Sequence, residues 1–534
     1  MKKLNYILIF VLLCVLDMKA APSSGDNVVY LAKVEVGGSP AIIDLNGNYV
    51  VRPGKYESIY YDKFSEGLCP VKRNGRVGFI DVYGNEVIPC KWESAREFKR
   101  GLAVIGIESN GDYRTLRGMI NKKGEVVIPP NYFHLELVRN ADLIRTESPA
   151  SLYNFHGDLL LKDIFHVYQS CRNGMLLISR NGQYGGYFFV DSLGNKRLKN
   201  FYDVDEFCGG YAVAYIRDEI KGNRPGYIDT EGNQYLVGEY KGLAGFYEDG
   251  YAKVSKEYPK KGVINNNFEE IIPCMYDDIK RLSWSEKNKL FINDIAEVIK
   301  DDQHGIINTR NQILIPFGKF NGFRISEGGE LLANTSNRYE RKDKDGKITS
   351  AGYKSVLINK TGDIFTDFEY EKIDNFYNGY AIVTRNGNNG IINSNGKEVI
   401  PAKYEFDYNI EDRVIKEFVD LGVIRIKKDG KWGLLNNQCM IILPCVYNYI
   451  EIFQEGVAVV RLNKKYGVVN QKGEIITPID FYVQSSIPRF SHGRLGIKKR
   501  TDSGTKAGFI DKEGNEIIPC IYDKVYPFKE ISVN

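Results

Sequence analysis

Two pairs of neighbouring carboxylates, Glu269-Glu270 and Asp277-Asp278, are the residues best suited by type to acid–base chemistry, which needs a proton donor and an acceptor about one bond. Each pair lies in or beside a predicted strand, where adjacent side chains point to opposite faces, so both pairs read as solvated surface. His134, His156, His166, His304 and His492 are scattered, without the spacing of zinc ligands, and no Cys-x-x-Cys accompanies them. A nucleophile elbow of the Gly-x-Ser-x-Gly kind is absent from the sequence, and the glycines of Gly182 to Gly186 have no predicted helix behind them to cradle a phosphate. An Asp or Asn recurs at turn after turn and would offer oxygen to calcium. One such residue per turn, often Asn, falls short of the several converging ligands that calcium takes. The residues therefore predict no catalytic side chains, no cofactor-binding residues and no metal ligands, and so no enzyme.

The elements that hold these residues repeat. Between Phe64 and Trp92 the chain writes Phe64-Ser-Glu-Gly67, Leu68-Cys-Pro-Val71, Val77-Gly-Phe-Ile-Asp81, Gly84 and Glu86-Val-Ile-Pro-Cys-Lys-Trp92. Further copies run over Phe98 to Tyr132, Phe207 to Tyr240, Phe246 to Tyr276, Phe376 to Tyr404, Phe453 to Tyr482 and Phe490 to Tyr522, with degenerate ones between and a first near Asp44 to Gly47. Each copy holds apolar runs of strand length and composition, which predicts three short strands. An Asx-x-x-Gly between the second and third strand, as at Asp81 to Gly84, predicts a bulged hairpin turn. A Pro after the third run, as at Pro89, Pro273 and Pro444, predicts the end of that strand, and the aromatic three residues on is expected to pack between units. About twelve such units form a tandem all-β array, in which each unit buries its faces only by stacking. Spacing is uneven, 43 residues from Gly390 to Gly433 and 34 from Gly433 to Gly467, which favours an open or superhelical array. Two propeller-like rings are the alternative.

These motifs resemble the WG-repeat, or KWG-repeat, family of bacterial proteins. Lys431-Trp-Gly-Leu-Leu-Asn436 carries the signature dipeptide, while other copies put Val77, Arg117, Pro225, Lys261, His304, Asn389, Tyr466 or Ala507 in the Trp slot and keep the Gly. The resemblance runs from about residue 27 to the end and implies a repeat fold, in most members without assigned chemistry. Trp92 and Trp432 occupy consensus slots and read as core.

Met1-Lys-Lys, the apolar run Tyr6 to Leu16 and Lys19-Ala-Ala-Pro22 follow the order of a secretory signal, so residues 1–21 are expected to be a signal peptide and 22–534 the array. The run is too short to span a membrane, and Leu13 before Cys14 disfavours a lipid anchor. Removing residues 1–21 takes three lysines and one aspartate from a net charge of +4 and leaves +2, no footprint for nucleic acid. The densest basic stretch, Arg338 to Lys347, is interspersed with acids and reads as a solvated hairpin. Cys90, Cys274, Cys445 and Cys520 share the slot after the strand Pro, where other copies carry Pro130 or Ala402. Equivalent slots lie at least a unit apart, which predicts free thiols; Cys439 and Cys445 are the nearest pair in sequence.

A chain of this kind is expected to be an exported, non-enzymatic repeat scaffold that mediates interaction with a protein or cell-envelope macromolecule. A glycan-binding or glycan-acting envelope protein is the alternative, with Tyr rings and carboxylates lining a mouth or groove. Tyr60, Tyr61, Tyr211, Tyr251 and Tyr380 are the candidates for an exposed aromatic stripe.

Overall fold

The computed structural model describes residues 28–533, apart from 110–111, 148–149, 181–185, 202, 219–221, 239, 284, 407–410, 484–487 and 503. The expected signal peptide and most of Gly182 to Gly186 lie outside the described residues.

The unit closed by Trp92 shows how these residues form their elements. Ser58–Ile59, Leu68–Arg73, Arg76–Asp81 and Glu86–Trp92 make one antiparallel sheet in that order. The first hairpin runs through residues 60–67 to a two-residue tip and the second is a two-residue loop, with both residues left-handed in each, Glu66 and Gly67 at φ 50° and 79°, Asn74 and Gly75 at φ 52° and 73°, the turn that matches strand twist. In the third, the Asp81 carboxylate accepts from the backbone N–H groups of Tyr83 and Asn85 at 2.9 and 2.8 Å, while Gly84 N–H donates to Asp81 C=O. The same turn, one backbone N–H closing on the Asx carbonyl, begins at Asp44, Asp81, Asn121, Asn154, Asp191, Asp229, Asn265, Asn308, Asn359, Asn393, Asn436, Asn470 and Asp511. Units are numbered here in that order, 1 to 13.

Three strands per unit were expected, and a fourth is present. It is the short leading strand, which starts two residues after the closing aromatic of the preceding unit, as Ser94–Ala95 follows Trp92 and Asp278–Lys280 follows Tyr276. Two or three residues carry no readable alternation. The Pro does not end the third run either. Phe79 pairs with Ile88 and Val77 with Trp92, so the closing strand bulges between them and continues to its aromatic. Pro89 sits in that bulge, where no ladder N–H is wanted.

Both faces of a sheet are covered by its neighbours. Cys69, Val71 and Ile80 pack back on Leu31, Ile42 and Val51 of unit 1, whereas Leu68, Phe79, Ile88 and Trp92 pack forward on Phe98, Ala103 and Ile105 of unit 3. This is why the strands read as near-continuous apolar runs. The unit's turn completes the contact: a Cβ on Gly124 would lie 3.2 Å from Ile88 of the unit before, and one on Gly47, in unit 1, would lie 3.3 Å from Ile518 of unit 13.

That last contact joins the two ends. Val28–Val36 pairs not only with Ser39–Asp44 but also with Lys524–Val525 and Lys529–Ser532 at the C-terminus. The uneven spacing that favoured an open run comes from an insertion: helix Glu411–Leu421 stands in the first hairpin of unit 11 and lengthens the interval from Gly390 to Gly433. A second insertion extends the hairpin Leu331–Lys342 and Ile348–Ile358, whose exposed tip holds the mixed-charge stretch Arg338 to Lys347. The array of short units thus closes on itself through strand pairing. Among the described residues no helix is long and apolar enough to cross a membrane.

Candidate interaction surface

The carboxylate pairs do not face a cleft. Glu270 accepts the Tyr240 hydroxyl of the preceding unit at 2.7 Å and Lys256 Nζ at 2.5 Å. Burial opposes its charge, but these two partners prevail and hold the carboxyl below the ordinary range. The same inter-unit pin recurs as Tyr56 on Glu86, beside Arg73, and as Tyr370 on Glu398, beside Arg385. Asp277 and Asp278 pair with Lys260 and Lys261 at 2.6 and 2.8 Å. Glu270, Asp277 and Asp278 are thus half-covered rather than freely solvated and bind one unit to the next, while Glu269 accepts Asn265 Nδ2 within its own turn.

His304 fills the Trp slot and its Nδ1 lies 2.5 Å from Oε1 of the buried Glu297. No group of three or more potential metal ligands occurs among the described residues. The eight described cysteines are free, Cys439 and Cys445 included. Burial pushes the Cys520 thiol up to about 11 and raises Cys90, Cys274 and Cys445 as well, which makes them poor nucleophiles at neutral pH.

The aromatic stripe is not formed. The slot after the first hairpin glycine faces the next unit, so Tyr211 joins Tyr227, Tyr235, Phe246 and Phe268, Tyr251 meets Phe291 at 4.9 Å and Tyr380 meets Phe418 at 5.6 Å. Tyr61 is buried and donates its hydroxyl to Leu31 C=O, leaving Tyr60 the exposed member at 36%. The closing aromatics pack between units as expected; in unit 12 that residue is Phe481, opposite Tyr466, while Tyr482 is exposed.

What the array does expose is the outer side of the closing strands. Alternation buries the residue before the Pro and the closing aromatic, and turns out the Pro itself, the residue before that aromatic and one near the strand's start. The prolines of seven units, Pro89, Pro129, Pro273, Pro316, Pro444, Pro478 and Pro519, are exposed there. Their neighbours are frequently apolar: Val87, Val126, Met275, Ile313, Ile475, and most fully Met440, Ile441 and Val446 in unit 11 and Ile517 and Ile521 in unit 13. Ile441 and Ile521 are 56% and 57% exposed. The repeat thus writes an apolar rib at equivalent places, a pattern the Val/Ile-Pro motif shows in sequence but whose outward side depends on the bulge. One polar cavity of about 320 Å³ lies between units 9 and 10 and the helix, lined by Arg324, Glu371, Asp374 and Ile415. Its acids are held by bases, Asp374 by Lys372 at 2.7 Å and Glu371 by Arg341.

The family model described as the WG containing repeat matches residues 42–76, 78–109, 118–132, 262–286, 357–388, 390–432, 432–466 and 508–530. No protein of curated function matches the sequence. Among solved structures, one described as the eukaryotic initiation factor is 12% identical at a TM-score of 0.29, covering 65% of this chain and 97% of that one. PorZ, a bacterial surface component of the type-IX secretion system of Porphyromonas gingivalis, is 9% identical at a TM-score of 0.18, covering 90% and 84%. The Cps50 (Swd1) beta-propeller domain of Myceliophteria thermophila is 11% identical at 0.19, covering 47% and 91%. Overlaps this small bear on neither arrangement nor function. With the Asx turn present in all thirteen units and the dipeptide glycine in nine of them, the chain carries the WG repeat along the eight stretches matched.

Proposed function

We propose that this protein is a non-enzymatic scaffold, exported to the cell envelope, that binds a protein partner along the ribs of its closing strands. The observation that carries the reading is the recurrence of exposed Pro with Val, Ile or Met beside it at equivalent places in units 2, 3, 7, 8 and 11 to 13. A partner that spans several ribs gains a little apolar burial from each, and avidity accumulates without any one deep pocket. A glycan site would instead call for a local departure from the repeat, with exposed rings beside carboxylates. The apolar run Tyr6 to Leu16 supports export.

The test substitutes Met440→Lys, Ile441→Lys and Val446→Lys together and compares the full chain with the variant on immobilised support against envelope extract. The variant is expected to lose the retained protein at unchanged Tm. Retention unaffected by this change and by Ile517→Lys with Ile521→Lys would sink the rib reading. The mass of the purified native N-terminus reads export independently, with cleavage expected after Ala20 or Ala21.

A further inference from the structure

Unit 1 is assembled from both ends of the chain. Its second, third and closing strands are Val28–Val36, Ser39–Asp44 and Tyr49–Val51, but its leading strand is Lys524–Val525 and its hairpin aromatic is Phe528. At the other units the leading strand arrives along the chain; here the sheet it joins begins nearly 500 residues earlier in sequence, and non-covalent contacts make the joint. The strap seats in two steps, Val525 opposite Val34 and Lys524 opposite Glu35, then Lys529–Ser532 antiparallel to Val28–Leu31. Phe528 is buried with Ala32, Val34 and Phe509, and Ile531 with Leu31. Strap and seat are complementary in charge. Lys524 Nζ lies 3.0 Å from Glu35, which also accepts the Tyr526 hydroxyl at 2.8 Å, and Lys529 Nζ lies 2.7 Å from Asp62.

We propose that this strap is an exchangeable donor strand, and that its second seat is the strand Val28–Val36 of another copy of this chain. The same backbone ladder, the same Phe528 pocket and the same ion pairs then join copies, in the manner of a strand added to an open sheet edge. A copy's own strap competes as an intramolecular ligand at an effective concentration of order millimolar, so exchange shows where copies are crowded or closure is weakened. Since the strap of one copy meets a different surface on the next, the contact is heterologous and yields reciprocal pairs or longer runs. The proposal is independent of any role for the ribs.

Charge reversal at the seam's two ion pairs tests it in the full chain. One variant carries Glu35→Lys and Asp62→Lys, so that seat and strap are both basic; the other carries Lys524→Glu and Lys529→Glu, so that both are acidic. Each alone has a repelling seam and is expected to be monomeric, with faster hydrogen exchange in Val28–Val36. Mixed, they are expected to double in mass by light scattering as a one-to-one pair that dissociates in high salt, while a variant carrying all four changes closes on itself and stays monomeric. A mixture that remains monomeric while the fourfold variant regains wild-type exchange would show that the strap serves its own chain only. Single-side variants with unaltered exchange would likewise overturn the proposal, since the ion pairs then do not govern the joint. Binding of a labelled 523–534 peptide with Lys524→Glu and Lys529→Glu to the basic variant gives a second reading that needs no second folded copy; absence of binding counts against the exchange.

Discussion

The glycine after the Trp slot is present in nine of the thirteen units. Gly508 does not sit in a left-handed conformation; its place is close approach, since a Cβ there would lie 2.5 Å from Ile518 C=O and 2.7 Å from Cys520 N. Gly78, Gly118, Gly262, Gly390 and Gly433 meet the same bulge at similar distances, whereas the slot before them, opposite the closing aromatic, takes Val, Arg, Lys or Asn in place of Trp. Gly508→Ala is expected to cost about 1–3 kcal/mol, because backbone must move, and Gly245→Ala, with nothing within 4 Å and an ordinary φ, close to nothing. Urea unfolding of the two variants checks this; equal midpoints would refute the close-approach account. Phe268 marks the reverse bargain. It occupies a turn slot where all other units but those of Asn311 and Cys439 carry Gly, at φ 63°, and its ring lies 4.8 Å from Tyr235 and 5.8 Å from Tyr227, contacts that offset backbone strain of order 1–3 kcal/mol.

At the scale of the element, the closing strand performs two tasks at once. Its bulge admits the neighbouring glycine and keeps Pro on the outer edge, where a missing N–H and a kink discourage pairing with foreign strands. Its final aromatic locks the next unit. Trp432 lies opposite Tyr447 and meets Tyr449, at the start of the following unit, at 5.8 Å. Trp432→Ala is therefore expected to destabilise by about 3 kcal/mol, through lost burial and the cavity left behind. Thermal unfolding and hydrogen exchange should place that loss in units 11 and 12, with partner retention intact wherever those units stay folded. Lost retention at wild-type Tm would make Trp432 a binding residue.

For the whole molecule, closure replaces the polar caps that an open array requires at its ends. The seam depends on carboxylates. Burial opposes the charge of Glu35, yet hydrogen bonds from Tyr526 and Lys524 hold its pKa below the ordinary value, and Lys506 with the Gly37 N–H does the same for Asp523. A pKa lowered by folding contributes stability that is complete above the unfolded carboxylate range, about pH 4, and disappears as pH falls through the lower folded value. Acidification to about pH 3 is thus expected to loosen the joint, read as protection against hydrogen exchange, relative to the intrinsic rate at each pH, that falls in Val28–Val36 and Lys529–Ser532 ahead of the central units. A uniform loss of protection around the circuit would show that the seam is no weaker than the covalent joints.

Much of this was legible in the residues. Apolar runs of four to six, Asx-x-x-Gly turns and strand-ending aromatics specify a local ladder and hairpin, and local hydrogen bonding and alternation obey short spacing; hence the unit, its repetition and the free cysteine slots read correctly. What eluded that reading involves distance along the chain. The leading strands are too short to carry a pattern, Pro looks like a stop until the bulge around Gly78 is seen, and Tyr211 or Tyr251 looks available until the next unit covers it. The seam did leave a trace: Tyr522-Asp-Lys-Val-Tyr-Pro-Phe528 opens a repeat as Trp92-Glu-Ser-Ala-Arg-Glu-Phe98 does, and the first unit lacks that opening. Local physics builds each unit, but which faces are covered, which ribs remain outside and where the ends meet follow from stacking around the circuit, since burial belongs to neighbours rather than to any one segment.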